Sequence, residues 1–329
     1  MSSFFPTPRA TEHALEDIVN TPRSRRAMIG DVAYLAAALA IPTPLLRRVG
    51  GRALGLGTPP ELDQDIARFD GWTSDLRTAE LTDRSVPLGL ATARVAGLAV
   101  GTPYEAHLLD AYLRPGDGPV TEPLTLSLTR FASNSFVESC VAVARAARVG
   151  GSPTWKGFGR EVERMRYRAG LRGDYTTRLH YFSEWVADGD QRSLLRDIGF
   201  ALGGVEDKRP LRFMTEHRDT YVALANDRVF KSVEEMEKRL DNVSRRVIPA
   251  ARIAEVQDRI QNGDVIGFAT TTPGLDVTHC AIAVRDKRGV LRVAQPSLNG
   301  GVVEVSRVSL PEYVAQLRDA SGIMVARPI

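Results

Sequence analysis

Phe131-Ala132-Ser133-Asn134-Ser135-Phe136-Val137-Glu138-Ser139-Cys140, running on into Val141-Ala142-Val143-Ala144-Arg145, is the stretch whose reading decides the fold. Phe136, Cys140, Val143, Ala144 and Ala147 recur at helical spacing, and Gly150-Gly151 stops the run. Ser135 followed by Glu138 reads as a capping box, with Ser135 satisfying orphan amides and Glu138 reaching back. A loop thus turns into a buried helix. One consequence is purely structural, a well-capped core helix. The other is chemical: a nucleophile just before the helix would sit at the positive end of its macrodipole, where a thiolate or an oxyanion is stabilised.

Outward from this stretch, other segments are informative. Leu124 to Leu128 alternates Leu-Thr-Leu-Ser-Leu and predicts a strand leading into the Ser133 loop. Gly101-Thr102-Pro103-Tyr104 predicts a turn. Pro59-Pro60 opens a helix with Leu62, Ile66, Phe69 and Trp72 on one face. Leu88 to Leu98 predicts another helix, Val162 to Tyr167 a basic amphipathic one, and Glu234 to Leu240 a charge-rich helix with a solvated face. Ile253 to Ile260 predicts a short helix, followed by a turn at Asn262-Gly263. Strands follow at Val265 to Thr270, Val277 to Val284, Val290 to Ala294 and Gly301 to Val305, an antiparallel meander separated by glycine-bearing turns. Leu310 to Leu317 closes with a helix and Gly322 to Ala326 with a strand.

Composition excludes several classes. The 329 residues are 43% hydrophobic and 25% charged, enough for one large domain with extensions or for two domains. Net charge is +3, from 43 basic and 40 acidic residues, too balanced to argue for nucleic acid. Neither of the 2 cysteines, Cys140 and Cys280, has ligands at metal spacing, and both lie in apolar runs that predict buried free thiols. No metal or organic cofactor is implied, and no run is long and apolar enough for an integral membrane segment. Residues 1–57, broken by Pro6, Pro8, Pro22, Pro42 and Pro44, read as an N-terminal extension, either a twin-arginine-type leader around Arg25-Arg26 or a helical appendage. The protein is exported, periplasmic or extracellular, if that segment is a signal, and cytoplasmic otherwise. Residues 58–329 form the main domain.

The central stretch resembles the nucleophile motif of a bacterial cysteine-amidase family, N-acetylmuramoyl-L-alanine amidase-like and known as DUF1460, within the NlpC/P60-like (papain-like) superfamily. That motif reads Phe-Asp-Cys-x-Thr-Phe-Val-Glu. Here Phe131, Phe136, Val137 and Glu138 keep the frame, but Ala132 stands in the Asp position and Ser133 in the catalytic Cys position. The resemblance continues in Gly101-Thr102-Pro103-Tyr104, in Arg178-Leu179-His180-Tyr181 with Trp185, in Phe213-Met214-Thr215-Glu216-His217, and in Gly263-Asp264-Val265-Ile266 followed by Leu275-Asp276-Val277-Thr278-His279. It covers about four fifths of the chain.

The resemblance implies an α+β fold of the papain-like NlpC/P60 type, its nucleophile-position helix packed on an antiparallel sheet and extra helices around it. It implies Ser133 at the nucleophile position, His279 as general base and Gln295 as the residue orienting the imidazole, where the family has His. Tyr104, Arg178, His180 and Tyr181 are the expected substrate-binding residues, with Arg178 pairing a carboxylate and the aromatics stacking. His217 is expected to make a structural hydrogen bond. The parent reaction would be hydrolysis of a muramoyl–L-alanine type amide in a peptidoglycan fragment.

Serine alters that chemistry. Its hydroxyl is a far weaker acid than a thiol, and Gln295 cannot stabilise imidazolium as a carboxylate would. Three readings stay open: an inactivated variant of an active enzyme, a pseudoenzyme that binds ligand without turnover, and a divergent acyltransferase or amide-forming enzyme using Ser133.

Overall fold

The computed structural model describes residues 59–329 apart from 116, 117 and 119, so the extension with Arg25-Arg26 lies outside the described residues. The helices that matter here are α1 (Pro59–Thr78), α2 (Leu88–Leu98), α3 (Ser133–Ala146), α4 (Trp155–Arg166), α5 (Phe182–Gln191), α6 (Asp227–Leu240) and α7 (Leu310–Gln316). The strands are β1 (Leu195–Asp197), β2 (Val205–Glu206), β3 (Arg246–Pro249), β4 (Val265–Thr270), β5 (Val277–Arg285), β6 (Leu291–Pro296), β7 (Val303–Val305) and β8 (Ala320–Pro328). They form one sheet ordered β2-β3-β8-β4-β5-β6-β7, with β1 also on β8 and every pair antiparallel. The expected meander is therefore β4 to β7, and the closing strand returns to cover the other edge of β4.

Strand periodicity divides the core. Cys280, Ile282 and Ala294 face α3 and join Phe136, Val137, Cys140, Val141 and Ala144. Ala281, Ala283 and Val293 face the other way, onto Ile253, Leu310 and Val314. The helix α3 is buried on almost every side because α2 and α4 also pack on it, and Phe136 packs edge-on against Phe131 with centroids 5.6 Å apart. Both cysteines are free and buried.

A close backbone approach locks α2 to the sheet. Gly263 sits at φ +83° in the turn before β4, and a Cβ there would lie 1.9 Å from the carbonyl oxygen of Gly89. The Asn262-Gly263 turn thus needs glycine for both its conformation and its clearance.

Several sequence expectations are corrected. Residues 124–128 join no strand. Their polar groups are satisfied by side chains: Asp65 Oδ1 accepts from Leu128 N–H at 2.7 Å, Arg68 Nη1 donates to Leu128 O at 2.8 Å, and Arg166 Nη1 donates to Thr125 O at 2.6 Å. On α1 the buried face includes Asp65 at 4% exposure, whereas Leu62 is 42% exposed, because Asp65 is needed against that segment. The capping box also shifts. The N-cap is Ala132, which has no side-chain acceptor, and Ser135 is the residue that reaches back, its Oγ accepting from Ala132 N–H at 2.9 Å. Glu138 instead pairs with Arg166 at 2.8 Å inside the core. The helix expected over Ile253 to Ile260 is a single α-turn, Ile253–Val256, followed by a 3₁₀ turn. On α6 the charge-rich face is not wholly solvated. Glu237 is fully buried and accepts from Tyr181 Oη at 2.7 Å, Met214 N–H at 3.1 Å, Thr215 N–H at 3.3 Å and Thr215 Oγ1.

Candidate functional site

The segment Gly101 to Glu105 joins the sheet edge to the start of α3. Gly101 N–H donates to Val303 O at 2.8 Å and Tyr104 N–H to Gly301 O at 2.8 Å, which ties the segment to β7 and its preceding turn. On its other side Phe131 N–H donates to Pro103 O and Glu105 N–H to Phe131 O, each at 2.9 Å. The loop that ends at Ser133 is thereby fixed relative to the end of the meander. Ser133 is the first residue of α3 and half-buried.

His279 comes from the other side, at the start of β5. Its preceding motif is anchored by Asp276, which is buried and accepts from Ser183 N–H at 2.7 Å and Val277 N–H at 2.8 Å. Asp276 therefore joins the start of α5 to the start of β5. A bulge at Thr278 sets His279 opposite Phe268, their rings parallel within 3° and 6.2 Å apart.

Tyr104, Phe268, Thr278, His279, Gln295 and Tyr313 line one cleft of about 440 Å³, counting the part open to solvent. Pro296, Ser297, Leu298 and Leu317 complete it, and no lining residue carries a formal charge. Burial lowers the His279 pKa to about 4, and the Gln295 amide opposes the shift. The imidazole is therefore neutral at pH 7, with a lone pair to use. Gln295 Oε1 is buried and has no hydrogen-bond partner among the described residues.

Ser133 meets β5 one residue further on. Cys280 is pushed up to about 12 by burial, and the Ser133 hydroxyl pulls it back, which puts that hydroxyl within side-chain reach of the thiol. Adjacent strand residues point to opposite faces, so Cys280 faces α3 while His279 faces the cleft. Among the described residues no hydrogen bond joins Ser133 to His279; the two groups flank the same step of β5.

The remaining sequence candidates go elsewhere. Arg178 is buried and fully engaged: it pairs with Glu122 at 2.9 Å and Asp110 at 2.7 Å, donates to Leu109 O at 3.1 Å, and lies 5.0 Å over the Tyr175 ring. A guanidinium so neutralised does not read a ligand carboxylate. His180 Nε2 bonds Tyr175 O at 2.8 Å, and burial lowers its pKa to about 3. Tyr181 is 2% exposed and spends its hydroxyl on Glu237. These three spend those groups on partners within the protein and do not line the cleft. His217 makes the expected structural bond, Nδ1 to Phe213 O at 2.8 Å. Cys140 is fully buried.

Sequence reading missed Phe268 and Tyr313. Phe268 reads as one more apolar residue of a buried strand, and Tyr313 as part of a closing helix, so neither carries a signal without the register of β4 on β5. No group of three or more His, Cys, Asp or Glu side chains among the described residues could hold a metal ion.

The pattern of the N-acetylmuramoyl-L-alanine amidase-like (AmiA-like) family matches residues 94–323. An N-acetylmuramoyl-L-alanine amidase from Bacteroides uniformis is similar in structure, with 28% identity, a TM-score of 0.66, and 74% of this chain and 99% of that one covered. A Bacteroides fragilis protein named provisionally as a xylanase is similar at 31% identity and a TM-score of 0.64, over 71% of this chain and 99% of that one. A Legionella pneumophila DUF1460 protein shares the fold at 18% identity and a TM-score of 0.57, over 82% of this chain and 96% of that one. No curated protein matches the sequence.

Proposed function

Because this chain belongs to the N-acetylmuramoyl-L-alanine amidase-like family, we propose that it recognises amide-bearing peptidoglycan fragments of the muramoyl–L-alanine type through an NlpC/P60-like, papain-like centre whose nucleophile position holds Ser133. The observation that carries this is the packing of α3, which begins at Ser133, against β5, whose His279 lines one cleft together with Gln295 and Tyr104. A neutral His279 takes the proton of the attacking group. The attacking oxygen or sulfur at position 133 adds to the amide carbonyl, and the positive end of the α3 dipole stabilises the developing oxyanion. His279 then gives the proton to the leaving amine.

With Ser133 the proton removed comes from a weaker acid, and no carboxylate stabilises the resulting imidazolium. Turnover should fall by several powers of ten relative to a thiol in the same place. A second reading, ligand binding without turnover, is favoured by one observation. Among the described residues the Ser133 hydroxyl, which acts on the Cys280 thiol, makes no hydrogen bond to His279. In both readings Tyr104 forms part of the substrate wall, and the uncharged cleft takes an uncharged part of the ligand.

The test is mass spectrometry of muropeptides incubated with the natural chain, Ser133→Cys, and Ala132→Asp with Ser133→Cys. Release of free stem peptide only by the cysteine-bearing proteins supports the amidase centre. No release by any of the three, together with retained muropeptide binding, leaves the binding reading; no release and no binding removes both.

A further inference from the structure

We propose that Glu304 sets specificity in this cleft by pairing an ammonium group of the ligand, a role that rests on the peptidoglycan-fragment reading and names the charged part of that ligand. Strand alternation places the side chain. On β7, Val303 and Val305 point to the α3 side and pack into that core. Glu304 lies between them and points to the opposite face. Its partner across the ladder is Gln295, and paired residues of an antiparallel ladder stand on the same face. Gln295 lines the cleft with His279, so Glu304 stands beside that cleft on the neighbouring strand.

The turn from β6 to β7 connects the cleft wall to the carboxylate. Ser297 N–H donates to Val302 O and Gly301 N–H to Ser297 O, each at 2.8 Å, and Gly300 N–H donates to Ser297 Oγ at 3.1 Å. The turn is thereby held in one shape. A Cβ added at Gly300 would stand 3.2 Å from Ser297 Oγ and 3.2 Å from Glu304 Oε2. Ser297 lines the cleft, so the two oxygens flank one point at its mouth.

Glu304 is half-buried, and among the described residues it makes no hydrogen bond and no ion pair. Neighbouring charges are spent elsewhere. Arg292 shares the α3 face with Ala294 and pairs with Asp286 at 2.8 Å, and Glu312 accepts from the Ser309 hydroxyl at 2.7 Å. A carboxylate drawn partly out of water gains most from a cation that reaches it. The cleft lining has no formal charge of its own, so it takes the uncharged part of a ligand and leaves the ammonium to Glu304. A stem peptide offers two such groups: the side-chain amine of a diamino acid, and the α-amine freed when the muramoyl amide breaks.

The experiment is calorimetric titration of the full chain and of Glu304→Gln with two pairs of probes. The first pair is a muramoyl tripeptide ending in L-lysine and its Nε-acetyl form. The second is the free tripeptide L-alanyl-γ-D-glutamyl-L-lysine acetylated at Nε only, and the same peptide acetylated at both amines. In at least one pair the natural chain should bind the amine about fivefold more tightly than its acetylated twin, the ordinary gain from a partly exposed ion pair. Glu304→Gln should lose that preference while keeping its affinity for the acetylated twin, which reports an intact cleft. The preference should shrink at high salt. A difference in the first pair assigns the side-chain amine, and one in the second the α-amine. Equal affinities within both pairs, or a preference that survives in Glu304→Gln, overturn the role of Glu304 and leave the peptidoglycan reading standing. Binding of none of the four probes by the natural chain overturns both.

Discussion

Replacing Arg178 by Ala separates a ligand-binding arginine from a structural one. Its side chain is 6% exposed and its partner Glu122 is 2% exposed. Removing one member of a buried ion pair typically costs about 3–5 kcal/mol, because the other charge is left uncompensated. Here Glu122 keeps the Tyr112 hydroxyl at 3.1 Å and the Tyr167 hydroxyl at 3.0 Å, which offsets part of that loss. The Leu109 carbonyl and the Asp110 carboxylate also lose their donor, and the Tyr175 ring loses its cation. The expected destabilisation is about 3 kcal/mol, or roughly 6–12 °C in Tm for a domain of this size. Denaturant unfolding should show a lower midpoint with an unchanged slope. Paired with Glu122→Gln in a double-mutant cycle, Arg178→Ala should give a coupling of at least about 1 kcal/mol. A variant as stable as the natural chain within about 0.5 kcal/mol, but with muropeptide binding abolished, would refute the structural assignment and restore Arg178 as a ligand contact.

Acidification should destabilise the fold. The folded pKa values of about 4 for His279 and about 3 for His180 lie below the ordinary 6.5, so the unfolded chain takes up protons that the folded chain refuses. Stability should be flat above about pH 7 and fall from pH 6.5 towards 3, by upper bounds of about 3 kcal/mol for His279, complete near pH 4, and about 5 for His180, complete near pH 3, reduced by partial solvent access. Unfolding midpoints of the natural chain and His180→Gln across this range check it, and equal pH slopes would count against the assignment. The thiols of Cys140 and Cys280 should react with a thiol reagent at pH 8 far more slowly than in denaturant, because burial raises both pKa values; complete modification of the folded chain within the time of the denatured control would contradict that. Gly263→Ala should cost about 1–3 kcal/mol from backbone strain alone and more from the contact with Gly89, read as a fall in Tm. A neutral effect would mean that α2 and the turn are not locked together.

Local pattern and motif carried much of this protein. The apolar spacing from Phe136 to Ala147 required a helix, and α3 is one, because a helix buried on several sides leaves that repeat as its imprint. The glycine-separated apolar runs from Val265 to Val305 required paired strands, since their backbone groups find partners in the core only by pairing. The frame around Ser133 and the segment ending in His279 pointed to the amidase-like family before any distance was known. Pairing across the chain was another matter. Whether Arg178 faces a ligand or Glu122, 56 positions away, depends on a register that no local pattern encodes. The alternation of residues 124–128 promised a strand, and side chains from α1 and α4 satisfied that backbone first. Phe268 and Tyr313 joined His279 and Gln295 only when β4 paired with β5 and α7 packed beneath the sheet. Sequence fixes which residues prefer helix, strand or turn because those preferences are set within a few neighbours. Which polar groups neutralise one another is set by which surfaces meet, and that was decided by the packed chain alone.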